Sequence, residues 1–274
     1  MSLAAKLPYD HAFAGGFSGI GSQPLPADAD ALDYLSRVKA ADGAGVEVGV
    51  AAAVDAFFKD AKESGVFSAL KACCILAGAR TLAGALVPVV GDAPTNVADG
   101  FVSGDYSRTA GLTGDGTSYL DSGRANNADP QNDKHVAVYA TSIASSGKGG
   151  YIGGYVTSPS TTTQVIRAGS ALTVSASVNH STGVNAASTS PSLIGASRDG
   201  TSVSLRADTS TTLATSATSG NPSFNIYVFS RNAVGSPNLT SDATLAFYSI
   251  GTSLDLAKLD NHITSYVTAI GAAL

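Results

Sequence analysis

The spacing of apolar residues changes near residue 90, and this change restricts the folds open to the chain more than any other feature. Before it, apolar side chains recur every three or four positions, as on one face of a helix. After it, short runs rich in β-branched residues and tyrosine alternate with polar residues, as in strands with one buried face. We therefore predict that residues 27–88 are helical and that residues 100–250 form two packed antiparallel sheets.

Three stretches carry the helical spacing. PADADALDYLSRVKAADG begins beside aspartates, which favour a helix N-terminus, and ends at Gly43. VEVGVAAAVDAFFKDAKESG places valines and phenylalanines on one face and ends before Gly65. We expect VFSALKACCILAGARTLAGAL to be a buried helix, because Arg80 and the following Pro88 leave too short an apolar run to cross a bilayer.

The two cysteines, Cys73 and Cys74, are adjacent in this third stretch. Neighbouring Cα atoms are too close for ordinary disulfide geometry, so we expect no bridge between them. Without a second cysteine cluster, the pair also does not predict a zinc site. We interpret both as small buried residues of a protein that folds in a reducing cell.

The second half of the chain is unusually rich in hydroxyl side chains, since 33 of the 83 residues from 141 to 223 are Ser or Thr. Short β-branched runs recur through it, joined by Gly, Asn and Ser turns, which is typical of a sandwich or barrel. Asp199-Gly200 lies between two such runs and predicts a hairpin. The predicted strands are KHVAVYAT, GGYIGGYVTS, TTQVIRAG, ALTVSASV, PSLIGASR, TSVSLRAD, FNIYVFSR and TLAFYSIG.

The chain closes on GTSLDLAKLDNHITSYVTAIGAAL, which predicts a last helix. Thr252 and Asp255 are spaced as a capping pair at its start. One apolar stripe follows at helical spacing, and it consists of Leu256, Leu259, Ile263, Val267 and Ile270.

The charge of the chain limits its partners. The formal net charge is −5 and only 14% of residues are charged. No basic patch is present to neutralise phosphates, and no basic amphipathic segment points to a membrane surface, so we expect neither nucleic acid nor membrane insertion. The first residues, MSLAAKLPYDHAFAGGFSG, lack the apolar core of a signal peptide, and we treat residues 1–26 as an N-terminal arm.

A resemblance adds to this pattern. LTGDGTSYLDSG followed by KHVAVYAT resembles the opening of a concanavalin A-like, laminin-G-like sandwich. Over residues 66–142 and 244–270 the chain resembles a group of bacteriophage and prophage virion proteins. The resemblance implies an α+β fold by segregation: an antiparallel β-sandwich, a concanavalin A-like jelly roll, in residues 91–274 with the C-terminal helix, preceded by a helical assembly and anchoring region in residues 27–90.

The same resemblance implies a non-enzymatic virion structural protein. Its helices would anchor it to the particle, and its lectin-like sandwich would face outward on a tail fibre, baseplate or head spike for attachment to a host-surface glycan. The implied partners are other virion proteins, host surface polysaccharide and copies of itself in a homotrimer, and the implied location is the virion after synthesis in the bacterial cytoplasm. The alternatives are a capsid decoration protein without receptor binding and a glycan-active enzyme.

The acidic residues argue against the enzyme. Glycanases of this fold use two carboxylates, usually glutamates, as nucleophile and acid. Glu47 and Glu63 are the only glutamates and both lie in the helical part. The four histidines are scattered without a metal or triad spacing, so we predict no enzyme and no cofactor.

Two sets of residues are binding candidates. In NNADPQNDKH, the oxygen-bearing side chains of Asp129, Asn132 and Asp133 suit calcium, and Asn126 and Asn127 suit sugar hydroxyls, although Asn, Asp and Pro also build turns for local reasons. The rings of Tyr151 and Tyr155 could stack on a sugar, although strand tyrosines more often serve packing.

The stretch LTGDGTSYLDSG has the same two interpretations, a calcium loop or a turn. Asp115-Gly116 favours a turn, and we predict that Tyr119 and Leu120 lie on opposite strand faces and that Leu120 or Leu112 is buried between the sheets.

Overall fold

The fold has three layers: a layer of helices, a first sheet beneath it (sheet A) and a second sheet beneath that (sheet B). The computed structural model describes residues 27–97, 100–145, 149–158, 160–167 and 172–274. The predicted N-terminal arm, residues 1–26, lies outside the described residues. Within the described residues no helix is long and apolar enough to cross a membrane.

The helices in chain order are α1 (Ala29–Asp42), α2 (Val48–Glu63), α3 (Val66–Ala69), α4 (Leu82–Ala85) and α5 (Leu256–Ala273). Those of more than one turn, α1, α2 and α5, are where the sequence predicts them. The Asp28 carboxylate caps α1 by accepting the N–H groups of Asp30 and Ala31, and Gly43 ends the helix in a left-handed conformation. Asp255 alone caps α5, so the predicted pairing with Thr252 is wrong.

The strands in chain order are β1 (Leu70–Ile75), β2 (Pro88–Val90), β3 (Thr95–Val97), β4 (Tyr106–Ser107), β5 (Gly111–Thr113), β6 (Tyr119–Ala125), β7 (Asp133–Ser142), β8 (Gly150–Thr157), β9 (Ser160–Arg167), β10 (Thr173–His180), β11 (Val184–Ala187), β12 (Ser192–Asp199), β13 (Ser202–Ala207), β14 (Ser210–Thr215), β15 (Asn225–Val228), β16 (Arg231–Ala233), β17 (Ser236–Asn238) and β18 (Thr244–Gly251). The predicted strands are all present, and β12 and β13 form the predicted hairpin around Asp199-Gly200.

Each sheet has its own strand order. Sheet A runs β14-β13-β12-β7-β18-β1-β2, with β5 on β18 and β4 on β5. Sheet B runs β11-β10-β9-β8-β15-β6-β3, with the β16–β17 hairpin on β8. Their strand pairs are antiparallel, apart from the short parallel contact of β16 with β8. The predicted sandwich of two antiparallel sheets is therefore confirmed.

One apolar core lies on each side of sheet A, and strand β7 contributes residues to both cores. Val136 and Val138 face the core between the sheets. Ala137 and Tyr139, at the alternating positions, face the core shared with α1, α2 and α5. Sheet A is thus covered on both faces, and the helices pack on the sandwich through it.

The third predicted helix is wrong over most of its length. Leu70–Ile75 forms β1, which pairs with β18 on one side and β2 on the other. A continuous apolar run fits a strand buried on both faces as well as a buried helix, and here the pairing with β18 decides. Cys73 faces the helix core and Cys74 the core between the sheets, so the two thiols point to opposite faces.

This correction changes the argument for self-association. Besides the resemblance, the apolar segment 66–90 favours a homotrimer if it is helical, because three short helices cannot easily cover it by themselves. In the structure, both cores of the same chain bury this segment. The trimer stays a prediction, now without that argument. The division at residue 90 also stays a prediction, although β1 and most of β2 precede it and belong to sheet A.

Candidate functional site

The outer faces of the two sheets are covered differently. Helices α1, α2 and α5 bury the outer face of sheet A. The outer face of sheet B, which we call the open face, contacts none of these helices in its described core residues. In β9 and β15 the inward residues Val165, Ile226 and Val228 belong to the core between the sheets. Their strand neighbours, among them Gln164 and Tyr227, therefore lie on the open face, where they are only 9% and 7% exposed.

Aromatic and amide groups lie side by side on this face. The rings of Tyr119 and Tyr227 are 4.7 Å apart between centroids, on neighbouring strands β6 and β15. Asp121 pairs with Tyr227 across the same two strands, and its Oδ2 accepts a hydrogen bond of 3.2 Å from Asn225 Nδ2. Its Oδ1 accepts the Gly123 N–H at 2.9 Å, so backbone and side chain together fix the carboxylate.

Arg231 of β16 lies beside the middle of the face. Its Cζ is 4.1 Å from the centroid of the Tyr155 ring, a cation–π stack. Its Nη1 donates to Gln164 Oε1 at 3.1 Å and its Nη2 to Asn238 Oδ1 at 2.8 Å. Burial lowers the pKa of the guanidinium from its ordinary value. Three neighbours thus hold one orientation of the fork.

A cleft of about 620 Å³ opens at the end of β8, between the segment before β15 and the β16–β17 turn. Asn232 braces it, because its Nδ2 donates to Asn225 O at 2.9 Å and its Oδ1 accepts the Gly235 N–H at 2.6 Å. The lining combines apolar and polar groups, as small-molecule sites do. It consists of Val156, Ser158, Pro222, Ser223, Phe224, Asn225, Tyr227, Asn232, Val234 and Gly235.

The stretch LTGDGTSYLDSG forms the connection between β5 of sheet A and β6 of sheet B. Asp115 Oδ1 accepts the N–H groups of Thr117 and Ser118, both at 2.7 Å, and these bonds lower the pKa of its carboxyl to about 2. Leu112 and Leu120 are fully buried. The predicted turn and the predicted burial are confirmed.

Two of the three calcium candidates, Asp129 and Asp133, have carboxylate oxygens that accept hydrogen bonds from protein donors. Asp129 is 3% exposed, and its two oxygens accept bonds of 2.8 and 2.5 Å from Arg124. Asp133 Oδ1 accepts the Ser253 N–H at 2.6 Å. Asn132 is exposed, and its backbone carbonyl oxygen accepts the Gly200 N–H. Calcium binding at these residues stays a prediction, with the ion pair to Arg124 as its competitor.

The four sugar candidates lie in different environments in the structure. Tyr155 lies on the open face, stacked on Arg231, and Asn127 is exposed in its loop. Tyr151 is fully buried in the core between the sheets, so it offers no stacking face. Asn126 is 1% exposed and donates to Asn179 and Asn221 inside the molecule, so it is not accessible to a sugar either.

Asn126 belongs to a buried polar cluster at one end of the sandwich. Lys134 Nζ donates to Asn126 O and, at 2.9 Å, to Asn221 Oδ1. Burial lowers the pKa of Lys134 to about 8. Its strand partner Arg198, also fully buried, donates to the carbonyls of Val178, Gly200 and Ser216. The cluster closes this end of the core with hydrogen bonds in place of apolar contacts.

The sequence did not indicate Arg231, Gln164 or Asn225 as site residues. Gln164 and Asn225 stand at the polar positions of predicted strands, so alternation could have placed them on an outward face. Arg231 depends on the β16–β17 hairpin, whose three-residue strands are too short for any periodic signal.

No family model matches the chain, and no curated protein sequence does. Solved structures that share only a distant likeness include a Trypanosoma rangeli sialidase mutant with trans-sialidase activity, at 10% identity and a TM-score of 0.47, covering 79% of this chain and 39% of that one. The CBM40 of a Ruminococcus gnavus IT-sialidase, bound to α2,3 sialyllactose, matches at 8% identity and a TM-score of 0.35, covering 53% of this chain and 84% of that one. The alginate lyase A1-II′ of polysaccharide lyase family 7 matches at 13% identity and a TM-score of 0.29, covering 71% and 98%.

This chain spans 24% and 39% of the length of the first two sialidase chains found, a leech trans-sialidase and the T. rangeli mutant. Likeness at this level concerns the arrangement of strands and transfers neither substrate nor activity. The prediction that the chain is not an enzyme is contradicted to this extent: sialidases and a lyase are among the solved structures with this distant likeness. That prediction is wrong as a general exclusion, since the missing glutamates argue only against a mechanism with two glutamates.

Proposed function

We propose that this chain is a bacteriophage virion protein that attaches the particle to a glycan of the host surface through the open face of sheet B. The observation that carries the proposal is the unequal covering of the sandwich. Helices cover one outer face, while the other is left with tyrosine, amide and arginine side chains, and Tyr227, Asn225 and Asn232 line a cleft of about 620 Å³ there. Sugars are bound by such mixtures of ring faces and planar hydrogen-bonding groups.

The virion setting rests on the resemblance of residues 66–142 and 244–270 to phage and prophage virion proteins. In this proposal the helix layer provides the attachment to the particle, because it lies on the side of the sandwich opposite the open face. Other virion proteins and further copies of the chain, as a trimer, are the partners on that side.

The test is binding of the full chain to an array of bacterial surface glycans, with affinities of the positive glycans measured by calorimetry. Tyr155→Ala and Asn225→Ala are expected to weaken binding by about fivefold or more each, because each removes a group from the open face. Arg37→Ala is the matched control, since Arg37 lies on α1, 40% exposed, in an ion pair with Asp33.

Two results would overturn the proposal. Absence of binding to every glycan, together with stable association with capsids, would favour a decoration protein without receptor binding. Loss of binding in Arg37→Ala but not in Tyr155→Ala would move the site to the helix layer. Reducing-end release from a bound glycan, measured in the same samples, would add catalysis to binding.

A further inference from the structure

Arg231 has only neutral hydrogen-bonding partners. Its two acceptors are the amide oxygens of Gln164 and Asn238, at 3.1 and 2.8 Å. Arg124 in the same sheet differs, because Asp129 neutralises it through two bonds. Among the described residues, no carboxylate lies within ion-pair distance of Arg231. A full positive charge therefore stands beside the open face without a counter-charge.

The guanidinium is also held in one orientation before any ligand arrives. Tyr155 covers one of its faces at 4.1 Å, and the two amides fix its edge. A guanidinium has five N–H groups, and these two bonds use one on each Nη, so each Nη keeps a second N–H. The Nε–H is buried without a partner and cannot serve a ligand. Little side-chain entropy is left to lose when an acceptor binds the two remaining donors.

The acidic charge of the chain limits which ligands the Arg231 guanidinium can attract. The whole chain is acidic, with a net charge of −5, so it does not attract anions in general. A planar acidic group can accept two parallel N–H bonds from a guanidinium, and such charge-assisted bonds are stronger than those between neutral groups. A hydroxyl group offers neither the charge nor the paired acceptors.

We propose that Arg231 is the subsite for a carboxylate, so that the glycan taken by the open face contains acidic sugar residues such as uronic acids. The inference rests on the proposed glycan-binding function and names the class of glycan. Tyr155 and the two amides act as positioning residues for the guanidinium, while Arg231 touches the ligand.

The test compares hexamers of galacturonic acid and of glucuronic acid with the same hexamers after reduction of their carboxyl groups to alcohols. For the wild-type chain, at least one acidic hexamer is expected to bind about tenfold or more tighter than its reduced form. In Arg231→Gln, binding of that acidic hexamer is expected to fall to the level of the reduced one. Arg37→Gln, on the helix layer, is the matched control and is expected to keep the full preference.

The outcomes separate this inference from the proposed function. Binding of glycans on the array with equal affinity for acidic and reduced hexamers would overturn the carboxylate subsite and leave glycan binding intact. A preference that survives in folded Arg231→Gln would also overturn it, and no glycan binding at all would overturn both proposals. Because Arg231 also supports the β16–β17 hairpin, Arg231→Lys provides a second variant: it keeps the charge without the fork, and is expected to lose most of the preference.

Discussion

The two sheets of this sandwich differ in the polarity of their outward-facing side chains. The difference follows from what covers the outer face of each sheet. In sheet A, β18 is buried at every position, since the core between the sheets takes one set of residues and the helices the other. In sheet B, β9 places Val165 in the core, and by alternation Gln164 faces outward, although it is only 9% exposed. A sheet covered on both faces is apolar at consecutive positions, whereas a sheet with an open face alternates. The polar alternate positions therefore mark the face that the helices do not cover.

The largest effect on stability is expected from removing an aromatic side chain, and it differs between the helix layer and the open face. Phe57 of α2 is 2% exposed and contacts the rings of Phe247 and Tyr266. Phe57→Ala is expected to lower the free energy of unfolding by about 3–5 kcal/mol, because it leaves a cavity between helices and sheet. Tyr155→Ala, on the open face, is expected to cost less than half of that. Urea unfolding measures both, and equal losses would mean that the helix layer is not packed as described.

The next effect is a pH dependence that belongs to the helix-covered side. His135 is fully buried, with Nδ1 2.6 Å from Thr252 O and Nε2 3.0 Å from Ser249 Oγ, and burial lowers its pKa from 6.5 to about 4. Between these values the unfolded chain binds a proton that the folded chain refuses, so stability is present above pH 6.5 and is lost as the pH falls towards 4.

Between pH 6.5 and pH 4, His135 is expected to lower the free energy of unfolding by about 2–3 kcal/mol. The check is urea unfolding at pH 7 and pH 4.5 for the wild type and His135→Asn, whose difference removes the contribution of carboxyl groups common to both. The wild type is expected to lose more stability than the variant. Parallel losses would show that His135 does not carry the dependence.

The connection between the sheets provides a smaller, matched pair. A β-carbon on Gly114 would overlap the carbonyl oxygen of Ser241, whereas one on Gly116 would meet nothing within 4 Å and only the positive φ of 82° opposes it. Gly114→Ala is therefore expected to cost about 2–3 kcal/mol and Gly116→Ala about 1 kcal/mol. Thermal melting ranks the two variants, and a larger loss at Gly116 would contradict the described turn.

The smallest effect is expected on the open face itself. Asp121→Ala removes one bond to Gly123 and one to Asn225 on a partly exposed carboxylate, and is expected to cost about 1 kcal/mol or less. A loss comparable to that of Phe57→Ala would mean that the face is closed in solution. Calcium titration of the same variant tests the loop interpretation, because a calcium-dependent rise in Tm of the wild type that Asp121→Ala loses would identify a metal site.

Alternation and capping predicted much of the fold, and the failures have identifiable causes. The sequence pattern predicts a helix at Cys73-Cys74, where the structure has a strand, because burial on both faces removes alternation. Tyr151 and Tyr155 stand four positions apart and should share a strand face. An irregularity between Gly150 and Ile152 shifts the register, and Tyr151 is in the core while Tyr155 is outside. Sequence patterns do not indicate Arg231, because it lies in the β16–β17 hairpin. This hairpin depends on the pairing of β16 with β8, and no local pattern predicts that pairing.

The position of β1 has a consequence for the synthesis of the chain. Cys74 pairs with Tyr248, so the middle of sheet A joins an early segment to one made 174 residues later. At roughly 5–20 residues per second, the ribosome needs on the order of 10–35 s to supply that partner. During this interval β1, apolar toward both cores, has neither β18 beside it nor α5 above it. The nascent chain must therefore keep this apolar strand from aggregating until β18 emerges, and the late pairing with β18 completes sheet A around β1.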